Sequence, residues 1–139
     1  MLGQVDSADY VVMHSALYTF SLDIERLKWE LLEAIKVLER QSKTILIPAF
    51  TFEFTKGRTI QHPIGELDTG NFANWCMELH GAVRTAHPIY SFVVIGKGTN
   101  EILNCSLDTA FGERSVFGLL TRKNTRLVMY GCGWAYCTQ

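Results

Sequence analysis

Apolar positions in this chain fall into two kinds of run. Tyr10-Val11-Val12-Met13, Thr44-Ile45-Leu46-Ile47-Pro48, Tyr90 to Gly96 and Arg126 to Gly131 are short and nearly continuous. Apolar runs without polar alternation suit strands covered by helices on both faces. Ser21 to Gln41 behaves differently, because Ile24, Leu27, Leu31, Leu32, Ile35 and Leu38 recur at helical spacing, with Asp23 and Glu25 in the first turn. Carboxylates there complement the positive end of the helix dipole. Strand, amphipathic helix and strand in succession predict a βαβ unit, its two strands parallel and joined by a right-handed crossover.

Further along the pattern is less regular. From Phe50 to Gly70, His62-Pro63, Gly65 and several threonines break every period. About 20 residues without an element are unusual in a compact domain unless they form a binding loop or lid. Asn71 to Gly81 reads as a helix through Phe72, Trp75, Cys76 and Leu79, stopped by Gly81. A helix is expected over Asn100 to Phe111, and a short helical turn over Val116 to Leu120, where Ser115 is a natural N-cap.

Between the second helix and third strand, Arg84-Thr85-Ala86-His87-Pro88-Ile89-Tyr90-Ser91-Phe92 sets a cation, an imidazole and hydroxyls at the mouth of a buried strand. Pro88 has a fixed φ and pushes His87 into extended backbone, so the segment reads as a shaped loop. The fourth strand ends in Gly131-Cys132-Gly133-Trp134. Open α/β sheets place their sites at the carboxyl ends of strands, yet only eight residues follow Gly131. The domain is expected to be incomplete.

Composition narrows the function classes. The 139 residues suit one domain, and 47 % apolar with 19 % charged residues describes an ordered globular chain. A net charge of −1 supplies no basic field for nucleic acid. No apolar run approaches the roughly 20 residues that span a bilayer, and the first residues lack a signal peptide's pattern, so a cytoplasmic location is expected. Cys76, Cys105, Cys132 and Cys137 show no CxxC spacing, which points to reduced structural thiols and to no metal.

Five segments, taken in order, bring a family into view: Val12-Met13-His14-Ser15-Ala16-Leu17, Ile47-Pro48-Ala49-Phe50-Thr51-Phe52, Arg84 to Ser91, Phe111-Gly112-Glu113-Arg114-Ser115 and Leu127 to Gly131. Together they resemble the antibiotic acetyltransferases of the aminoglycoside 3-N-acetyltransferase family, specifically its N-terminal half. The resemblance implies a three-layer α/β/α sandwich around a mostly parallel sheet. It also implies acetyl-CoA-dependent transfer to a primary amine of an aminoglycoside or related amino sugar. The Pro-Ile-Tyr-Ser-Phe form of the loop is more similar to relatives attached to polysaccharide or secondary-metabolite pathways than to drug-resistance enzymes.

The same resemblance assigns roles to residues. The family's catalytic histidine sits in a Thr-x-x-His motif of which Thr138-Gln139 supplies the first two positions, so the histidine is expected beyond Gln139. His14, Ser15, Arg84, His87, Ser91 and Ser115 are expected to line the CoA site. Three of them have a plainer alternative: His14 satisfied by backbone, Arg84 in a structural ion pair, Ser115 only capping its helix. Trp134 and Tyr136 offer ring faces to an amino-sugar acceptor. Trp75, Phe92 and Phe117 are expected in the core, His62 in a loop and His80 on a helix surface.

Two function classes follow. One is an acetyltransferase. The other is a catalytically incomplete fragment that binds CoA without turnover or self-associates, with the final strand leaving an open sheet edge for another copy in a homo-oligomer.

Overall fold

The computed structural model of the chain describes residues 7–15, 24–50 and 72–130. Among these residues five strands form one sheet: β1 (Tyr10–Ser15), β2 (Thr44–Pro48), β3 (Val83–Arg84), β4 (Phe92–Ile95) and β5 (Thr125–Tyr130), in the order β3-β4-β2-β1-β5. β1 pairs in parallel with β2 and with β5, the latter over six residues from Tyr10↔Thr125 to Ser15↔Tyr130. β4 pairs antiparallel with both β2 and β3. Four of these strands therefore run one way, as the mostly parallel sheet implied by the resemblance requires, and β4 runs back, which makes the sheet mixed.

The reversal follows from β3. Gly81, at φ +80, turns the chain after the second helix, and Val83 and Arg84 enter the edge of the sheet as its shortest strand. The loop 85–91 then returns the chain as an antiparallel hairpin. Two residues are too few to show a period, so β3 is invisible to pattern reading.

Helices cover both faces. On one side α1 (Ile24–Arg40) and α2 (Phe72–Cys76) pack Leu27, Leu31, Ile35, Leu38, Phe72 and Cys76 against Val11, Met13, Ile45, Ile47, Val93 and Ile95. On the other, α3 (Thr99–Leu103) and α4 (Val116–Arg122) bring Ile102, Val116, Leu119 and Leu120 onto Tyr10, Val12, Leu46, Phe50, Phe92 and Val94. Odd and even positions of β1 thus feed different cores, the period-2 geometry of a strand, and burial on both faces explains why its run is continuous. Phe92 belongs to the second core, as expected, and the partly buried Trp75 and Phe117 pack against the first and second.

Boundaries carry their own causes. α1 ends in a Schellman turn: Ser42 N–H donates to Glu39 O at 2.9 Å and Lys43 N–H to Leu38 O at 3.1 Å, with Ser42 left-handed at φ 63. α2 is shorter than the expected helix, because after Met77 the amides of Glu78 and Leu79 bond three residues back, to Trp75 and Cys76. The helix expected over Asn100 to Phe111 stops at Leu103. Beyond it Ser106 Oγ accepts from Asp108 N, Thr109 Oγ1 accepts from Gly112 N, and Ser106 N–H reaches across to Arg114 O at 2.8 Å. Hydroxyl side chains and a loop-closing bond have taken the amides a helix would need. Most of the irregular stretch Phe50 to Gly70 lies outside the described residues.

Candidate functional site

The carboxyl ends of β1, β2, β3 and β5 and the amino end of β4 share one end of the sheet. There the 85–91 loop and the segment from α3 to the start of α4 face each other across a cleft of about 100 Å³. Its walls alternate in chemistry. Thr85, His87, Ser106, Thr109 and Ser115 bring hydrogen-bonding groups, while Tyr90, Ile102, Leu103, Val116 and Phe117 bring apolar surface; among the described residues no carboxylate lines it.

Arg84 ends β3 and borders the cleft, but its guanidinium is committed to the scaffold. Nε donates to Ser91 Oγ at 2.9 Å and Nη2 to Ala49 O at 3.2 Å, while Ser91 Oγ itself donates to Ala49 O at 2.7 Å. Ala49 N–H bonds Ser91 O in turn. Arg84 and Ser91 therefore tie the hairpin to the end of β2. The expected ion pair is not formed among the described residues; the partners of Arg84 there are a hydroxyl and a carbonyl. Burial lowers its pKa from the ordinary value.

His87 shapes the loop from within. Its Nδ1 accepts from Ile89 N–H at 3.1 Å and Tyr90 N–H at 3.0 Å, and its ring lies 5.8 Å from that of Tyr90. Thr85 closes the base of the same loop: its amide donates to Phe92 O and its Oγ1 accepts from Phe92 N–H, both at 2.9 Å. Burial pushes the His87 pKa below its ordinary value. Above the loop, Tyr90 packs with Phe50, Phe111 and Phe117 at centroid distances of 5.2, 5.1 and 6.0 Å. Phe111 is 65 % exposed.

Ser115 does what a cap should. Its Oγ accepts from Gly118 N–H at 3.1 Å and donates to Gly112 O at 2.6 Å. The preceding loop rests directly on α4 at Gly118, where a Cβ would collide with the carbonyl oxygens of Gly112 and Glu113. Phe111-Gly112-Glu113-Arg114-Ser115 is thereby a packing motif, and only one lone pair of the Ser115 hydroxyl remains for a ligand.

His14 and Ser15 stand apart. They end β1, which is separated from β4 by β2, and neither lines the cleft. His14 is 7 % exposed and burial lowers its pKa. Ser15 Oγ is buried without a hydrogen-bond partner among the described residues. Of the six residues expected at one CoA site, the fold thus brings Arg84, His87 and Ser115 to the cleft, sets Ser91 behind Arg84, and leaves the β1 pair outside it. Trp134, Tyr136, Thr138, Cys132, Cys137 and His62 lie outside the described residues.

The cleft also contains residues that pattern reading passed over: Thr85, Tyr90, Cys105, Ser106 and Thr109. Thr85 and Tyr90 lay inside the loop already singled out. Ser106 and Thr109 were hidden in an expected helix. Cys105 and the buried Cys76 are both free thiols. No helix among the described residues is long and apolar enough to cross a membrane, and no group of metal-ligating side chains occurs among them.

Comparison of the sequence with curated proteins finds no match. Solved structures do match. The YokD protein from Bacillus subtilis superposes with a TM-score of 0.68 at 20 % identity, over 91 % of this chain and 60 % of its own. The aminoglycoside acetyltransferase AAC(3)-IVa apoenzyme gives 0.73 at 18 % identity, over 95 % and 53 %. AAC-IIIb in binary complex with CoASH gives 0.62 at 17 %, over 88 % and 52 %. At these identities the likeness establishes the α/β fold, and the chain spans between half and three-fifths of the length of those structures. The sequence profile of the aminoglycoside 3-N-acetyltransferase family, finally, matches residues 18–139. That match takes in both walls of the cleft and nearly all of the chain, so the protein belongs to the aminoglycoside 3-N-acetyltransferase family.

Proposed function

We propose that this chain carries the acyl-donor side of an acetyl-CoA-dependent N-acetyltransferase that acts in the cytoplasm on a primary amine of an aminoglycoside or related amino sugar. The observation that carries the reading is the cleft at the carboxyl end of the sheet. Its volume of about 100 Å³ suits a segment of an extended arm. Hydroxyls and an imidazole alternating with Ile102, Leu103, Val116 and Phe117 match a pantetheine arm, where amides alternate with methylenes. The CoASH complex of the structural neighbour supports the same class of ligand.

The chemistry is attack of a neutral amine on a thioester carbonyl. A C–N bond forms, the C–S bond breaks, the thiolate leaves, and the proton of the incoming amine passes to a base. Donors fixed near the carbonyl oxygen stabilise the negative charge that develops there. His87 qualifies as such a donor through Nε2. It does not qualify as the base, because Nδ1 is already occupied by two amides. The base is assigned to the histidine expected beyond Gln139, and the acceptor side to Trp134 and Tyr136.

A second reading is CoA binding without turnover. It is favoured by one observation: no imidazole among the described cleft residues is free to take a proton. Incubation with acetyl-CoA and kanamycin or a simple amino sugar separates the two. Thiol release above the blank establishes transfer; thermal stabilisation by CoA without release establishes the second reading; neither effect removes both.

A further inference from the structure

We infer that His87 is a positioning residue: its Nδ1 gathers the amides of Ile89 and Tyr90 into one turn, and this fixes the ring as the neutral tautomer with its proton on Nε2, presented at the cleft wall. The inference rests on the acyl-donor reading only for the identity of the ligand that Nε2–H would meet.

Valence decides the tautomer. A neutral imidazole has one donor and one acceptor nitrogen. Nδ1 lies 3.1 Å from Ile89 N and 3.0 Å from Tyr90 N, and both of those atoms are obligate donors. Nδ1 must therefore be bare, which leaves the proton on Nε2. Nε2 has no partner among the described residues, while the side chain lines the cleft.

Protonating Nδ1 would set three N–H groups against one another and release the turn. No carboxylate among the described residues of the cleft compensates. The titratable or charged groups lining the cleft are Arg84 from β3, Tyr90 from the loop itself and Cys105 from the segment after α3. Among these described residues the only charge is positive, so it opposes an imidazolium. Burial acts in the same direction. Release of the turn would free Tyr90, which holds the aromatic cluster with Phe50, Phe111 and Phe117. The wall of the cleft is consequently ordered at neutral pH and loosened in acid. The ligand group suited to Nε2–H is an acceptor oxygen, such as an amide or thioester carbonyl.

Two substitutions divide the roles. His87→Asn places a carbonyl oxygen where Nδ1 stands and removes the Nε2 donor; His87→Gln keeps a donor near Nε2 and removes the Nδ1 acceptor. We expect nitrogen NMR of the full chain to show the Nε2–H tautomer, with slowed exchange of the Ile89 and Tyr90 amides that is lost as His87 titrates. His87→Asn keeps that protection and abolishes its pH dependence, with CoA binding weakened several-fold. His87→Gln and His87→Ala lose the protection. A proton found on Nδ1, or amides equally protected in His87→Ala, overturns the inference. Failure of the unsubstituted chain to bind CoA overturns the acyl-donor reading and the ligand given to Nε2–H, while the tautomer and amide measurements still decide the positioning role.

Discussion

Arg84 and Ser91, seven residues apart, meet at 2.9 Å from Nε to Oγ and share Ala49 O as a common acceptor. The pair closes the loop that carries His87 and fastens it to the end of β2. Ser91→Ala leaves Arg84 Nε without its partner in a half-buried position. It is expected to lower stability by about 1.5–3 kcal/mol, the usual effect of breaking a hydrogen bond to a charged group. Arg84→Lys, a point charge without the fork, is expected to cost a similar amount. Urea unfolding of both single variants and the double variant checks this: strict additivity would show that the pair is not coupled.

Gly118 admits the 112–113 backbone against α4. Gly118→Ala is expected to destabilise by about 1–3 kcal/mol, as overpacking does. Ser115→Ala, which removes the cap of the same helix, is expected to cost about 1 kcal/mol. Thermal unfolding with paired circular dichroism reads both, and an unchanged midpoint in Gly118→Ala contradicts the close approach.

Ser42 is the one non-glycine residue with positive φ among the described residues. The left-handed conformation costs an L-residue roughly 1 kcal/mol, and glycine is the favoured residue at this position of a Schellman turn. Ser42→Gly is therefore expected to stabilise the chain by about 0.5–1 kcal/mol, seen as a higher urea midpoint with an unchanged slope.

Acid should destabilise the fold in a defined window. His14 and His87 both have pKa values lowered from 6.5 by burial. Below about pH 6.5 the unfolded chain binds protons at these rings and the native chain does not, so stability falls as pH drops. Above that value both states are neutral and the two rings contribute no slope. Urea midpoints at pH 5.0, 6.0 and 7.5 test the sign, and a midpoint that rises toward acid would contradict it.

Cys76 is fully buried and its thiol is pushed far above the ordinary value, first by burial and then by the charge of Glu78. Among the described thiols it is expected to react with an aromatic disulfide reagent only as fast as the chain opens. Cys105, half-buried at the cleft, should react first, and the reverse order, read by mass spectrometry of partly labelled chain, would place Cys76 at the surface.

What the sequence determined by itself is what short-range physics decides. The run at Thr44–Pro48 coincides with β2, because a fully buried strand has no polar face to blur its ends. The 3.6-residue repeat of Leu27, Leu31, Ile35 and Leu38 locates α1, and Ser115 announces α4, because periodicity and capping are local. The sandwich follows from those elements, and the family from the order of its motifs.

What only the tertiary structure decided depends on partners distant along the chain. β3 is two residues long and exists because β4 offers it an edge. β4 runs back because of that hairpin. The helix expected after Asn100 was lost to hydroxyls and to the bond from Ser106 to Arg114. Arg84 looked like a ligand group until Ser91 and Ala49 claimed its fork, and His87, expected to line the CoA site, has its Nδ1 filled by two amides of its own loop. Residue type announces what a side chain is able to do; the fold decides which of its hydrogen bonds are already taken.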